Sequence, residues 1–116
     1  MSYKIAVAST DGKVVNEHFG RCRTYIVLDV DDIGNTYRFE SFRKIEPACR
    51  DGEHSEQSFG LVLRALSDCR AVLTSRIGSA AERYITSRGL QSLEYGGLID
   101  DAVHKIIQYY KRAGVQ

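Results

Sequence analysis

The apolar positions of this chain follow two rhythms. Early on they come in short runs. Tyr3 to Ser9 (Tyr-Lys-Ile-Ala-Val-Ala-Ser) and Thr24 to Val30 (Thr-Tyr-Ile-Val-Leu-Asp-Val) are brief and rich in β-branched or aromatic residues, which predicts strands. Tyr37 to Ile45 alternates, with Tyr37, Phe39, Ser41, Arg43 and Ile45 facing one way and Arg38, Glu40, Phe42 and Lys44 the other. Both faces are partly polar, as at or near a sheet edge. Turn chemistry separates the runs at Thr10-Asp11-Gly12-Lys13, with Val14-Val15 a brief extended piece after it, and again at Asp31 to Asn35.

Further along, the period lengthens. Phe59, Val62, Leu63 and Leu66 recur at i, i+3, i+4 and i+7 behind Ser55, a residue suited to cap a helix. Ala80, Ala81, Tyr84 and Ile85 mark a second helix, with Gly89 where a left-handed terminator belongs. Leu98, Ile99, Ala102, Val103, Ile106, Ile107 and Tyr110 form the longest stripe. Asp100 and Asp101 near its start and Lys111 and Arg112 near its end complement the helix dipole. Ala71 to Thr74 and Leu90 to Tyr95 read as strands between the helices, while Glu46 to His54 suits neither strand nor helix.

The order β-β-β-α-β-α-β-α implies a meander followed by parallel β-α-β units, hence a layered α/β fold. It also fixes where the loops go. If the first strand runs upward, Asn16–Cys22 lies at the top. The third strand then brings Glu46–His54 to the same end, and the fourth brings Ser75–Gly78. His18, Cys22, Cys49 and His54 converge there with Arg21, Arg50 and Arg76, while Cys69 falls at the bottom. The carboxyl ends of the parallel strands, where open α/β sheets bind ligands, share that end.

Composition narrows the class. A chain of 116 residues, 43% hydrophobic and 27% charged, makes one domain over residues 1–116. Sixteen basic against fifteen acidic residues give +1, a balance that calls for neither nucleic acid nor an anionic membrane. No apolar run approaches the roughly 18 residues of a membrane span, and the start has no signal-peptide pattern, so the cytoplasm is the expected location. Three cysteines do not make a disulfide framework; reduced thiols, buried or ligating, are expected.

Two thiols and two imidazoles beside arginines suit a soft metal or an iron–sulfur cluster, whose negative charge the guanidinium groups offset. Gly78, opening the second helix, adds backbone N–H donors suited to an anion. Each residue also has a plainer reading. His18 by spacing alone is a locally hydrogen-bonded loop residue, and His54 a neighbour of a helix cap. Cys22 reads equally as core or as ligand, and Cys69 as a small buried hydrophobe. Cys49, between Pro47 and Gly52 in a polar loop, has the least structural excuse.

At these residues the chain resembles the dinitrogenase iron–molybdenum cofactor biosynthesis family, which includes NifX, NifY, NafY and the C-terminal domain of NifB. The matching stretches are Ile5-Ala-Val-Ala-Ser-Thr-Asp-Gly12, Val15-Asn-Glu-His-Phe-Gly-Arg-Cys22, Glu46-Pro-Ala-Cys49 with Gly52 and His54, Cys69-Arg-Ala-Val-Leu-Thr-Ser-Arg-Ile-Gly78, and Arg88-Gly89-Leu90 with the closing helix. The resemblance implies a ribonuclease H-like motif, a mixed five-stranded sheet with helices packed on it. It implies a non-enzymatic carrier of an iron–sulfur or iron–molybdenum cluster, acting with donor and acceptor proteins of nitrogenase cofactor assembly. By position, His18 and Cys49 become the metal ligands, with Cys22, His54, Arg21, Arg76 and Gly78 completing the cofactor-binding set. The expected form is a stand-alone core, without the radical-SAM barrel of NifB or the extra N-terminal domain of NafY, as a monomer or weak homodimer. Two other functions compete. One is a small zinc- or iron-binding or regulatory module unrelated to nitrogenase. The other is a metal-dependent nuclease, which Asp11 and Asp29 alone supply poorly with carboxylates.

Overall fold

β1 (Ser2–Ala8) is the centre of the molecule, and the apolar run at its carboxyl half explains why: Ile5, Ala6, Val7 and Ala8 are fully buried, as only a strand covered on both faces can be. In the computed structural model, residues 2–19, 22–45, 49, 50, 53, 54 and 56–113 are described; of 49, 50, 53, 54 and 56–58 the backbone alone is described. β1 is followed by β2 (Val14–Val15), β3 (Thr24–Asp31), β4 (Thr36–Lys44), β5 (Cys49–Arg50), β6 (Glu53–His54) and α1 (Glu56–Ala65). Then come β7 (Ala71–Thr74), α2 (Ser79–Thr86), β8 (Gln91–Glu94), β9 (Gly97–Leu98) and α3 (Ile99–Arg112).

The long strands stand in the order β4-β3-β1-β7-β8. β3 runs antiparallel to β1 and β4 antiparallel to β3, whereas β7 is parallel to β1 and β8 to β7. The sheet is therefore mixed and five-stranded. On one face Ala6, Ala8 and Val72 meet Phe59 and Val62 of α1, Leu66 in the turn just after it, and Ala81 and Ile85 of α2. On the other, Ile5, Val7 and Leu73 meet Ile99, Val103, Ile106 and Ile107 of α3. Ala80, expected on the apolar side of α2, is exposed, because the short helix buries only Ala81 and Ile85. Gly89 has φ 94, the left-handed conformation expected of it, and lets Leu90 donate back to the Ile85 carbonyl at 3.0 Å.

Two departures from simple periodicity matter. In β4 the register shifts: Ser41 faces Val27 but Phe39 faces Leu28, leaving Glu40 as the extra residue of a bulge. The strict alternation expected of this strand put Phe39 and Phe42 on opposite faces. The bulge instead brings both to the α3 side, opposite Leu28 and Ile26, with ring centroids 4.8 Å apart. The stretch assigned to neither strand nor helix also contains regular structure. β5 and β6 pair antiparallel, with Cys49 opposite His54 and Arg50 opposite Glu53. The expected cap Ser55 lies outside the described residues.

A second small ribbon joins β2 to β9, Val14 opposite Leu98 and Val15 opposite Gly97. It pins the start of α3 beside the first long loop, with Ile99 donating to the Lys13 carbonyl at 2.8 Å. From there α3 descends. Its far end reaches the start of β1, Tyr110 lying edge-on to Tyr3 at 5.4 Å, and the β3–β4 turn, where Lys111 Nζ donates to Asn35 Oδ1 at 2.6 Å.

Candidate functional site

The loop between β1 and β3 is held from within. Ser9 Oγ accepts from the Asp11 and Gly12 N–H groups, and Asp11 Oδ1 accepts from those of Lys13 at 2.9 Å and Val14 at 3.1 Å. Those backbone donors hold the Asp11 carboxyl below its usual range, so this carboxylate serves the turn. Thr10 and Asn16 close a reciprocal pair across the turn, at 3.0 and 2.8 Å. Phe19 then plunges into the core, 1% exposed, with its ring 6.3 Å from Phe59, and its carbonyl accepts from the buried Tyr25 hydroxyl at 3.0 Å. With Phe19 inward, the preceding His18 is exposed.

The loop after β7 is laced to this one. Ser75 donates through both N–H and Oγ to the Glu17 carbonyl at 3.0 Å, Phe19 N–H donates to the Arg76 carbonyl at 3.0 Å, and His18 and Arg76 form a parallel bridge. The expected meeting of the His18 and Arg76 loops is thus present, with both side chains at the surface. The segment after β8 joins them: Tyr95 N–H donates to the Thr74 carbonyl at 2.9 Å, and Glu94 Oε2 accepts from Ile77 N–H at 2.9 Å. Residues 75–77 and 94–96 line a shallow, open cleft of about 490 Å³. Gly78 caps α2 with no side-chain hydrogen bond, and a Cβ there would meet open space. One backbone donor ahead of α2 is therefore already taken by Glu94. The periodicity missed this residue; the Gly96-Gly97 pair behind it was the only signal of a fourth loop at this end.

The cysteines divide. Cys22 is 2% exposed among Phe19, Tyr25 and Ala8; its thiol donates to the Thr24 carbonyl at 3.2 Å and burial pushes it up to about 12. That is the setting of a packing thiol. Cys69 lies at the opposite end of the sheet, 8% exposed, its thiol pushed to about 12 by burial and by the Asp68 carboxylate. Cys49 and His54 are in register at the start of the α1 loop, but their side chains, Arg50's side chain and the whole of Arg21 lie outside what is described. The approach to that loop is placed: Ile45 N–H donates to the Arg23 carbonyl at 2.8 Å, one residue from Cys22. Among the described residues no three His, Cys, Asp or Glu side chains gather into a metal cage. Asp29, the other carboxylate considered, pairs with Arg38 at 3.2 Å.

A larger cavity than that cleft lies elsewhere, a groove of about 810 Å³ on the α3 side of β3 and β4. Ile26, Leu28, Phe39 and Phe42 line it, and Glu17 and Arg23 stand at its upper end. It shares the first loop with His18 without including His18.

Against known proteins, the sequence model described as dinitrogenase iron-molybdenum cofactor matches residues 1–109. The chain is 30% identical over 94 residues to the FeMo cofactor biosynthesis protein NifB of Herbaspirillum seropedicae, a match covering 81% of this chain and 18% of that protein. The NifB of Frankia alni is 30% identical over 105 residues, 88% of this chain and 20% of that protein. The chain thus spans about a fifth of the length of these relatives. Among solved structures, a candidate dinitrogenase from Methanocaldococcus jannaschii superposes with TM-score 0.59 at 14% identity, over 94% of this chain and 91% of that one. A candidate NifB protein from Thermotoga gives 0.57 at 15% identity, over 91% and 88%. These two show that the fold is shared. No helix among the described residues is long and apolar enough to cross a membrane.

Proposed function

We propose that this chain, which belongs to the dinitrogenase iron–molybdenum cofactor family, binds an iron–sulfur or iron–molybdenum cluster as cargo and passes it between a donor and an acceptor protein of cofactor assembly, catalysing no reaction of its own. The observation that carries this reading is the backbone bridge between His18 and Arg76, two exposed residues that it brings into register at the carboxyl ends of the parallel strands.

In this reading His18 and Cys49 are the metal ligands, an imidazole and a thiolate of the kind iron accepts. His54, in register with Cys49 on the β5–β6 ribbon, is the supporting ligand. Cys22, held in the core as a neutral thiol, stays with the packing and enters the set only if the loop opens. Arg21 and Arg76 offset the charge of an anionic cluster, and the backbone N–H groups at Gly78 donate to it. Few protein ligands leave most of a cluster's valences open, which is what a carrier needs to release its cargo. We read the fold as ribonuclease H-like and its setting as the cytoplasm.

The test is anaerobic reconstitution of the full chain with ferrous iron and sulfide, followed by metal and sulfide analysis and absorption spectroscopy. The wild-type chain should gain charge-transfer absorption, and His18→Ala and Cys49→Ala should each remove most of it. Failure of the wild-type chain to take up iron and sulfide, or uptake of zinc alone, overturns the reading.

A further inference from the structure

We infer that the Glu94 carboxylate is a built-in competitor for the cargo. It holds a backbone donor of the Arg76 loop until an anionic cluster displaces it. The inference rests on the cargo reading above and concerns how that same site is regulated. Thr74 and Glu94 stand side by side in the parallel register of β7 and β8, so their side chains leave the sheet on one face. It is the face covered by α1 and α2, since Val72, two residues before Thr74, packs there. Beyond Thr74 the chain turns into the loop 75–78, and Glu94 Oε2 accepts from the Ile77 N–H at 2.9 Å. Arg76, next to that donor, lines the same cleft as Glu94. The guanidinium enters no ion pair among the described residues. The acid takes the amide and leaves the base unpaired.

A cluster sulfide and a carboxylate oxygen seek the same surroundings, a backbone N–H with a guanidinium nearby. Two anions cannot share that donor, so one has to leave. Glu94 is exposed and can swing into solvent without uncovering core. There is room for the change, because a Cβ at Gly78 or at Gly96, on either side of the contact, would meet no heavy atom within 4 Å. Beside Glu94 the Thr74 hydroxyl is fully buried and has no hydrogen-bond partner among the described residues. That unmet group disfavours the shut arrangement, and a loop that lifts relieves it by admitting water. The other charged groups around the cleft do not replace Glu94. Lys105 Nζ lies 5.0 Å from the Tyr95 ring centroid, Glu82 stands in the first turn of α2, and Glu17 lends Ser75 only its carbonyl while lining the α3-side groove.

The test reconstitutes the full chain anaerobically with ferrous iron and sulfide, then titrates the loaded protein with an iron chelator while charge-transfer absorption is followed. Apparent affinity scales with the fraction of molecules whose donor is free. E94A should therefore raise the chelator concentration that strips half the iron by about threefold to tenfold. E94Q, which keeps a weaker, neutral acceptor, should fall between E94A and the wild type. E82Q removes the same charge from the first turn of α2 without touching the Ile77 N–H, and should leave the titration where the wild type has it. Circular dichroism checks that each variant is folded, and E94Q carries the test if E94A is not. A wild-type chain that takes up no iron and sulfide sinks the cargo reading and this inference with it. A wild-type chain that loads, yet holds its iron as tightly as E94A and E94Q do, overturns the competitor alone. An equal gain in E82Q overturns it too, because the effect is then one of net charge.

Discussion

The hydroxyl of Tyr25 donates to the carbonyl of Phe19 at 3.0 Å, inside the core and six residues away along the chain. This bond ties the exposed His18 loop to a strand buried in the core. Tyr25→Phe keeps the ring and removes the donor, leaving a buried carbonyl with one partner fewer. The expected cost is about 1–3 kcal/mol by urea denaturation, with faster amide exchange at residues 18 and 19.

Phe19 itself is the plug of that loop. Truncation to Ala empties a site 1% exposed between the loop and Phe59. A loss of about 3–5 kcal/mol is expected in the same denaturation measurement. If the cargo reading holds, cluster uptake should fall with it although His18 is still present.

Gly89 and Gly96 separate backbone strain from crowding. A Cβ at either would meet no heavy atom within 4 Å, yet only Gly89 has a positive φ, 94. Gly89→Ala should therefore lower stability by about 1 kcal/mol and Gly96→Ala by less than about 0.5. Equal losses in thermal melts would refute the distinction.

Arg43 anchors the edge strand to the end of α1. It donates to the Ala65 carbonyl at 2.9 Å and makes a two-pronged pair with Asp68, whose carboxyl the guanidinium holds down at about 2. A carboxyl depressed in the folded state stabilises above its unfolded value, near pH 4, and that contribution drains away as the pH falls from about 4 to about 2. Asp68 is 47% exposed, so solvent screening keeps the effect under about 1 kcal/mol. Asp68→Asn should flatten the pH dependence of stability in that window and leave the slope above it unchanged.

The described thiols should be inert. With Cys22 and Cys69 pushed to about 12, only about one thiol in ten thousand is ionised at pH 8. Alkylation at that pH should label both slowly in the folded chain and rapidly in guanidinium chloride. The sign for stability is the reverse of Asp68's. A thiol kept neutral by the fold stabilises fully below its unfolded value, near 8.5, and progressively less from there to about 12.

What could be read from the sequence follows from range. Helices and long strands announce themselves over a few residues, so the Phe59–Leu66 and Ile99–Tyr110 stripes and the Thr24–Val30 run came out close to their observed positions. The meeting of the His18 and Arg76 loops also followed, because alternating strand directions leave few places for a loop to go. The bulge at Glu40 was invisible, since an extra residue is defined by the partner strand and not by its own sequence. The two-residue ribbons Val14–Val15 with Gly97–Leu98, and Cys49–Arg50 with Glu53–His54, are too short for any period to register. Glu94 was missed for a related reason. Its contact with Ile77 spans 17 residues and depends on β7 and β8 lying side by side.

The descent of α3 has one more consequence. Because β1 starts and α3 finishes at the end of the sheet remote from His18, any polypeptide grafted before Ser2 or after Arg112 emerges on that far side. The unit behaves like a plug with its wiring at the back. It can sit within a chain five times its length, as a match to about a fifth of the NifB relatives illustrates, and still offer the same open front.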